Sequence, residues 1–170
     1  MSSLSICGRA RVLGDDVNTD YIISSRRKKE SLDPAELRHF LLEDLDPAFA
    51  ASVSQGDVLV AGSNFGCGSA MEVAVTVVMG AGIRAVVARS FSRTYWRNAV
   101  NNGLLLVVAD TRAITEGMPL SLQLHGAQPE LSVGWNPATR IECEPIADFT
   151  LAMLQAGGLI PYLRLHHKLA

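Results

Sequence analysis

The sequence predicts a single α/β domain, and three observations lead to that prediction. The chain has 170 residues, of which 48% are hydrophobic and 19% charged, so it can bury one substantial core. Between residues 57 and 110, short apolar runs alternate with helix-forming segments, which is typical of parallel strands joined by helices. From Pro119 onward, apolar residues alternate with polar ones, as they do in half-buried antiparallel strands. We therefore expect a parallel α/β layer followed by a β-rich annex.

The N-terminal part is predicted to contain one strand and one long helix. The strand is expected at "ICGRARVL", followed by the polar turn "GDDVNTD" and the short apolar "YII". The next stretch, "SSRRKKES", has no apolar periodicity and is predicted to be a basic loop. A helix should then cover "DPAELRHFLLEDLDPAFAASV", because Asp33 is a good N-cap and Pro34 suits the first helical position.

The central part is predicted to contain three buried strands and two helices. The strands are expected at "GDVLVAG", "IRAVVARSF" and "LLLVVAD". The first helix should run from Ala70 to Met79, because glycines follow it. The second should begin after Ser92, a possible N-cap, and end at Gly103.

The C-terminal part is predicted to contain the annex and a closing helix. Its strands are expected at "PLSLQLHG", "ELSVGW" and "TRIECEP". The amphipathic segment "ADFTLAMLQAGG" should form a helix that ends before Gly157.

The composition argues against several classes of function. A formal net charge of -2 provides no strong electrostatic footprint for nucleic acid. No apolar run is long enough to span a bilayer, and "MSSLSICGRARV" lacks the apolar segment of a signal peptide, so we expect no membrane association and a cytoplasmic location. Cys7, Cys67 and Cys143 are too widely spaced for a disulfide framework, a zinc site or an iron–sulfur cluster. We therefore expect this chain to bind no metal of its own.

The glycine-rich turn in "GSNFGCGSAMEVAV" is the first candidate site. It places Gly68 and Ser69 between a predicted strand and a predicted helix, where free backbone N–H groups favour an anion. The dinucleotide fingerprint fails at Met71, the P-loop lysine is missing, and Ser69 does not fit the hydrolase elbow. Two interpretations therefore stay open, in which Ser69 either caps the helix or belongs to an anion-binding site.

Three segments together resemble one family. They are "GDDVNTDYII", "GSNFGCGSAMEVA" and "ARSFSRTYWRNAVNNGLL", and they resemble the small subunit of 3-isopropylmalate dehydratase, which is similar to the C-terminal swivelling domain of aconitase. The resemblance extends from about Val12 to Leu105, and "LQAGGLIPYLR" also fits it. It implies that residues 1–170 form one three-layer β/β/α swivelling domain.

The resemblance also implies a two-component enzyme. A large-subunit partner would carry a [4Fe–4S] cluster, and this chain would bind no cofactor itself. Together the two chains would isomerise a hydroxy di- or tricarboxylic acid by dehydration and rehydration, with 3-isopropylmalate of leucine biosynthesis as the expected substrate. The alternatives are a homoaconitase-like or other substituted-malate hydratase subunit, or a non-catalytic partner subunit that has lost substrate binding.

The resemblance assigns site residues by position. Ser69 matches the serine that takes a proton from carbon, and Asp20 matches an acidic site residue, so both are predicted to be catalytic. Thr19, Gly68 and Ala70 flank them and are predicted to contribute to substrate binding, with a structural role in orienting the turn as the alternative for Thr19. The alternative for Asp20 is that it only closes a turn.

Two departures from the family pattern bear on the substrate. Where the family typically reads "GSSREHA", this chain reads "GSAMEVA", so that Met71 stands in place of an arginine. Losing that guanidinium is expected to cost about 2–4 kcal/mol of transition-state stabilisation if nothing replaces it. The segment "SSRRKKES" offers three replacements, Arg26, Lys28 and Lys29, and Lys29 stands where homoaconitase-like members have an arginine. The alternative is a solvated, flexible basic loop.

Overall fold

Seven strands form one curled sheet in the computed structural model, which describes residues 4–135 and 138–167. The strand order is β4-β3-β2-β1-β5-β6-β7. The strands are β1 (Ser5–Val12), β2 (Val58–Ala61), β3 (Ala85–Ala88), β4 (Leu105–Val108), β5 (Pro119–His125), β6 (Gln128–Val133) and β7 (Thr139–Ile141). Pairing is parallel from β1 to β4 and antiparallel from β1 through β5 to β7, which confirms the predicted parallel layer and its annex.

Strand β1 joins the two halves of the sheet. Its first part, residues 5 to 9, pairs with β5, whereas residues 10 to 12 pair with β2. Beyond β7, Cys143 forms an antiparallel bridge with Ala109, just after β4, so the two ends of the sheet approach each other. The sheet therefore curls until its antiparallel half faces its parallel half.

Alternate residues of the parallel strands point into two separate cores. On one face, Leu59, Val86 and Leu106 pack against the helices. On the other face, Val58 and Val87 belong to a second core with residues of the antiparallel half. Since side chains alternate across a strand, both faces of the parallel half are buried. The order is helices, parallel strands and antiparallel strands, which confirms the expected three-layer β/β/α domain.

Eight α-helices are found among the described residues. They are α1 (Thr19–Ile22), α2 (Ser25–Glu30), α3 (Pro34–Leu37), α4 (Phe49–Ser52), α5 (Val73–Gly80), α6 (Arg93–Asn102), α7 (Asp148–Ala156) and α8 (Leu159–His166). In the described part of the chain, none of them is long and apolar enough to cross a bilayer.

Several predicted helix ends are confirmed by their capping contacts. The Asp33 side chain accepts a hydrogen bond from the backbone N–H of Ala35 at the start of α3. Ser92 caps α6, and Gly103 ends it in the left-handed conformation with φ 81°. Gly157 ends α7 in the same way.

Other helix predictions were wrong. The single long helix after Asp33 is broken into α3, a 3₁₀ turn at Arg38–Phe40, and α4. Leu42 has a positive φ of 57°, which an α-helix cannot accommodate, and this ends the run. The basic segment is helix α2 rather than a loop, and α8 was not predicted at all.

Candidate functional site

The glycine-rich turn lies at the carboxyl end of the parallel strands. Residues 62 to 72, which we call the glycine loop, connect β2 to α5. Phe65 donates its backbone N–H to the carbonyl of Ser90 at 3.0 Å, and Ser92 donates back to Phe65 at 2.9 Å. Carboxyl ends of parallel strands are the usual location of ligand sites in open α/β sheets.

The base of the glycine loop is fixed by charge. Asp15 accepts hydrogen bonds from the backbone N–H of Ser63 at 2.7 Å and from the Arg89 guanidinium. These two contacts lower the pKa of the Asp15 carboxyl below its usual range, with the Ser63 hydrogen bond as the larger cause. The carboxylate therefore stays ionised near neutral pH and holds the start of the loop.

Two glycines let the loop turn sharply. Gly66 has φ 78° and lies against the ring of buried Tyr95, so that a Cβ atom there would collide with the ring. Gly68 has φ 91°, and a Cβ atom there would collide with the Asn18 carboxamide. Both positions therefore require glycine for conformation and for space. Burial raises the pKa of Tyr95, whose hydroxyl donates to the carbonyl of Ala74 at 3.1 Å.

The loop is joined to the turn that carries Asp20. The backbone N–H of Thr19 donates to the carbonyl of Cys67 at 2.8 Å, and the Thr19 hydroxyl donates to the carbonyl of Ser69 at 2.9 Å. Thr19 is only 1% exposed. Its two bonds bring the predicted residues Thr19, Asp20, Gly68 and Ser69 to one place, although they lie far apart in sequence.

Ser69 is exposed and does not cap a helix. Helix α5 begins at Val73, with Glu72 at its N-cap, so the predicted start at Ala70 was wrong. The capping interpretation of Ser69 is therefore wrong too. Within the described part of the chain, the Ser69 hydroxyl has no hydrogen-bond partner.

The backbone of the loop offers free donors instead. The N–H groups of residues 68 to 71 make no hydrogen bond to any other described residue. Gly68, Ser69 and Ala70 are exposed, so these donors face solvent beside the free hydroxyl. Successive unpaired N–H groups in a turn attract anions. The anion-binding interpretation of the loop keeps its physical support, although a helix terminus does not provide it.

Asp20 lies at the first turn of α1 with part of its hydrogen-bonding capacity unused. Asn18 caps this helix by accepting from the backbone N–H of Asp20 at 2.8 Å. The Asp20 side chain is 50% exposed, and its Oδ1 accepts from the Ser25 hydroxyl at 2.8 Å. Nothing in the sequence indicated that Ser25 would donate a hydrogen bond to Asp20. Asn18, in contrast, is a residue type that is preferred at N-caps, so its capping role could have been predicted.

The basic residues of α2 point in different directions. Lys28 reaches the glycine loop, where its ammonium contacts the Met71 sulfur and lies 3.6 Å from Asp20 Oδ1. Arg26 instead lies 3.5 Å from Glu43, and Arg27 donates to the same carboxylate at 2.9 Å. Lys29 is exposed, with no ion pair to another described residue. Of the three predicted replacements for the missing arginine, the structure brings Lys28 to the loop.

Two of the departures from the family pattern face inward. Met71 and Val73 are partly buried and pack against the core beneath the helices. Ala70 remains exposed beside Ser69. The arginine and histidine of the family pattern are thus replaced by apolar side chains that pack against the core.

A cavity of about 660 Å³ is lined in part by Phe91, which is also bridged to Phe65 of the glycine loop. Its wall includes two exposed arginines of α6, Arg93 and Arg97, together with Trp96. Phe91 packs edge-to-face on Phe65 of the glycine loop at 6.0 Å between ring centroids.

The described residues contain no metal centre of three or more converging His, Cys, Asp or Glu side chains. The cysteines do not meet either, since Cys7 is exposed, Cys67 is half-buried in the glycine loop, and Cys143 is buried beyond β7. This donor set does not fit an iron–sulfur cluster, whose ligands are converging thiolates.

Comparisons with known proteins agree with this architecture. Residues 26–111 match the family model of the aconitase C-terminal domain. The 3-isopropylmalate dehydratase small subunit 1 of Methanopyrus kandleri is 43% identical over 162 residues, which cover 94% of this chain and 92% of that protein. The methanogen homoaconitase small subunit of Methanocaldococcus jannaschii is 42% identical over 159 residues, covering 94% and 91%.

A solved structure is similar over the same extent. The crystal structure of a 3-isopropylmalate dehydratase from Methanocaldococcus jannaschii matches with a TM-score of 0.90 at 40% sequence identity, covering 96% of each chain. Identity at this level over nearly the whole chain shows family membership as well as fold. This chain belongs to the aconitase C-terminal domain family, among small subunits like those of 3-isopropylmalate dehydratase and homoaconitase.

Proposed function

We propose that this chain is the small subunit of an aconitase-type hydro-lyase that isomerises 3-isopropylmalate together with a large subunit. The names of its relatives support the partner, since they are themselves small subunits. The observation that carries the proposal is the 2.9 Å hydrogen bond from Thr19 to the carbonyl of Ser69. It holds a free serine hydroxyl, unpaired backbone donors and a half-exposed carboxylate at one place.

Ser69 is proposed to remove the proton from the substrate carbon. A serine hydroxyl is a weak base, so its alkoxide needs donors aimed at it. The unpaired N–H groups of residues 68 to 71 are the donors that this chain can provide. The glycine at 68 keeps them accessible because no side chain covers the turn at that point.

Asp20 is proposed to act on the same substrate from the turn that Thr19 joins to the glycine loop. Its Oδ1 is engaged by Ser25, and the half-exposed side chain has room to hydrogen-bond the substrate or the departing water. The large subunit's [4Fe–4S] cluster would supply the Lewis acid for the leaving hydroxyl. The overall change removes water to give an unsaturated acid and adds it back with the hydroxyl on the neighbouring carbon. The cytoplasmic location stays a prediction.

The proposal is tested in the assembled enzyme. The chain is co-purified with a cluster-bearing large subunit, and turnover of 3-isopropylmalate is measured anaerobically. Ser69→Ala should lower kcat by about 10²–10⁴-fold, the range of general acid–base catalysis. Because the Ser69 hydroxyl is exposed and unpaired within the described residues, the free energy of unfolding should change by less than about 0.5 kcal/mol.

Ser5→Ala is the matched control, since Ser5 is an exposed serine at the start of β1 on another part of the domain. It should change neither kcat nor stability. Turnover that survives Ser69→Ala would contradict the assigned role. A complex with an intact cluster that converts no acid would contradict the proposed function and favour a non-catalytic subunit.

Homoaconitase activity is the second candidate. The specific observation is the 42% identity to the homoaconitase small subunit of Methanocaldococcus jannaschii, nearly as high as that to the dehydratase subunit. The same complex is therefore assayed with homocitrate beside 3-isopropylmalate, citrate and methylated malates. The ratio of kcat/KM values decides between the candidates.

A further inference from the structure

The strongest unexplained feature outside the proposed catalytic pair is the side chain of Lys28. It extends from α2 toward the glycine loop and is only 19% exposed, whereas its neighbours Arg26 and Lys29 are exposed. The ammonium at the end of this partly buried side chain carries three donors that need acceptors. Its surroundings therefore decide whether it is a structural group or a binding group.

The acceptors around this ammonium are poor. One contact is the thioether sulfur of Met71, which is a weak acceptor. The other is Asp20 Oδ1 at 3.6 Å, which is an ion-pair distance but longer than a hydrogen bond. Asp20 Oδ1 already accepts from the Ser25 hydroxyl. Within the described part of the chain, the ammonium therefore lacks a strong hydrogen bond.

The rest of α2 is bonded in a way that fixes this direction. Arg27 lies over the Phe40 ring at 3.7 Å from its centroid and donates to Glu43 at 2.9 and 3.0 Å. Arg26 adds a weaker contact to the same carboxylate. The guanidinium groups thus anchor the helix to the body of the domain, and Lys28 on the adjacent position is left facing the loop.

We propose that Lys28 is the cation that binds a carboxylate of the substrate. Its side chain extends from α2 to the glycine loop, where the ammonium lies between the Met71 sulfur and Asp20. This inference rests on the proposed function, because it places the substrate beside Ser69 and Asp20. A carboxylate there would give the ammonium the strong acceptors it lacks. The carboxylate would also approach the unpaired N–H groups of residues 68 to 71, which attract negative charge.

The test moves the positive charge from position 28 to position 71. Lys28→Met removes the charge with little change in side-chain length, and Met71→Arg introduces a guanidinium on the other side of the contact. Four complexes are compared with the large subunit present: the unmodified chain, each single variant and the Lys28→Met/Met71→Arg double variant. Each is measured for turnover and, separately, for anaerobic binding of 3-isopropylmalate by calorimetry.

Lys28→Met should lower kcat/KM by about 100-fold or more and weaken binding, as the loss of one charged donor does in a desolvated site. The double variant should recover most of both, because the cation returns from the loop side. Arg164→Met, a charge loss at an exposed position of α8, is the control and should change neither.

The outcomes separate this inference from the proposed function. Unchanged turnover and binding in Lys28→Met would overturn the role of Lys28 and leave the hydro-lyase assignment intact. Loss without recovery in the double variant would also overturn it, since Lys28 would then act only by holding Asp20. Binding that follows the four-variant pattern without any turnover would support Lys28 and contradict the proposed function. Absence of binding by the unmodified complex would contradict both.

Discussion

Two carboxylates of this protein lie beside basic side chains, and they differ in how completely they are bonded. Asp57, just before β2, is 2% exposed and accepts hydrogen bonds from Arg9, Arg11 and the backbone N–H of Ser54. Asp20 is half exposed and accepts a hydrogen bond from the Ser25 hydroxyl, and its Oδ1 lies 3.6 Å from the Lys28 ammonium. The first group ties β1 to the start of β2, and the second lies next to Thr19, which bonds to the carbonyl of Ser69.

The comparison shows why one site is structural and the other can bind. Asp57 has both oxygens occupied, and its partners are bonded to the backbone and to Glu116 as well. No substrate group could enter without breaking several bonds. At Asp20 the donors and acceptors are present but incompletely paired, so an added ligand would form bonds at little cost to the fold.

The largest expected effect comes from removing Asp57. Asp57→Ala leaves the buried guanidinium of Arg11 without this carboxylate, and breaking a buried pair in this way costs about 3–5 kcal/mol of unfolding free energy. Urea denaturation measures it. Asp20→Ala is the matched comparison and should cost less than about 1 kcal/mol, as exposed pairs do. Equal losses at the two positions would refute the distinction.

The Asp57 carboxylate should also make the free energy of unfolding depend on pH. Desolvation raises the pKa of Asp57, but the hydrogen bonds from Arg9 and Ser54 lower it, and the net pKa lies below the usual 3.8. Because the folded state binds the proton more weakly than the unfolded state, the contribution is complete above pH 3.8 and is lost as the pH falls through the lower folded value. Unfolding measured from pH 6 downward should show this loss, and Asp57→Asn should flatten the curve in that range.

A smaller effect is expected at the glycine loop. Gly68→Ala adds a Cβ atom at φ 91° that collides with Asn18, so it should destabilise the protein by about 1–2 kcal/mol or more and reduce turnover. Gly117→Ala separates the two causes, because Gly117 has φ 80° with nothing within 4 Å of an added Cβ. It should show the conformational cost alone and keep full activity. A larger loss at Gly117 than at Gly68 would contradict the close approach to Asn18.

The smallest effect on stability is expected at the link between the two site segments. Thr19→Val removes one hydrogen bond to the carbonyl of Ser69 and should cost about 1 kcal/mol, yet kcat should fall more than this suggests, because the serine loses its support. Thr19→Ser keeps the hydroxyl and should restore kcat. Equal activity in the valine and serine variants would show that the link is not needed.

Local sequence signals predicted most of the sheet and several helix ends. Asp33, Ser92 and Gly103 act through contacts within a few residues, so their types alone indicated their roles. Helix α2 was missed because its stability depends on the ring of Phe40 and the carboxylate of Glu43, which lies 16 residues beyond Arg27. No periodicity within "SSRRKKES" records those partners.

The candidate site, like helix α2, depends on contacts between residues that lie far apart in the sequence. Ser69 and Asp20 were selected through a family resemblance, and the bond that brings their segments together spans 50 residues, from Thr19 to Ser69. The contact of Lys28 with Met71 spans 43 residues. Sequence reasoning offered three basic residues as equivalents, and only the direction of α2 in the folded chain distinguishes Lys28 from the other two.

The division of β1 between two partners has a consequence for how the chain is made. Residues 10 to 12 can pair once β2 has been synthesised, whereas residues 5 to 9 must wait for β5, which begins at Pro119. During translation, and in any product that ends early, the first half of β1 is an unpaired edge with free backbone N–H and C=O groups. Such edges recruit strands from other chains. Truncated or slowly translated forms of this subunit should therefore be the ones that aggregate.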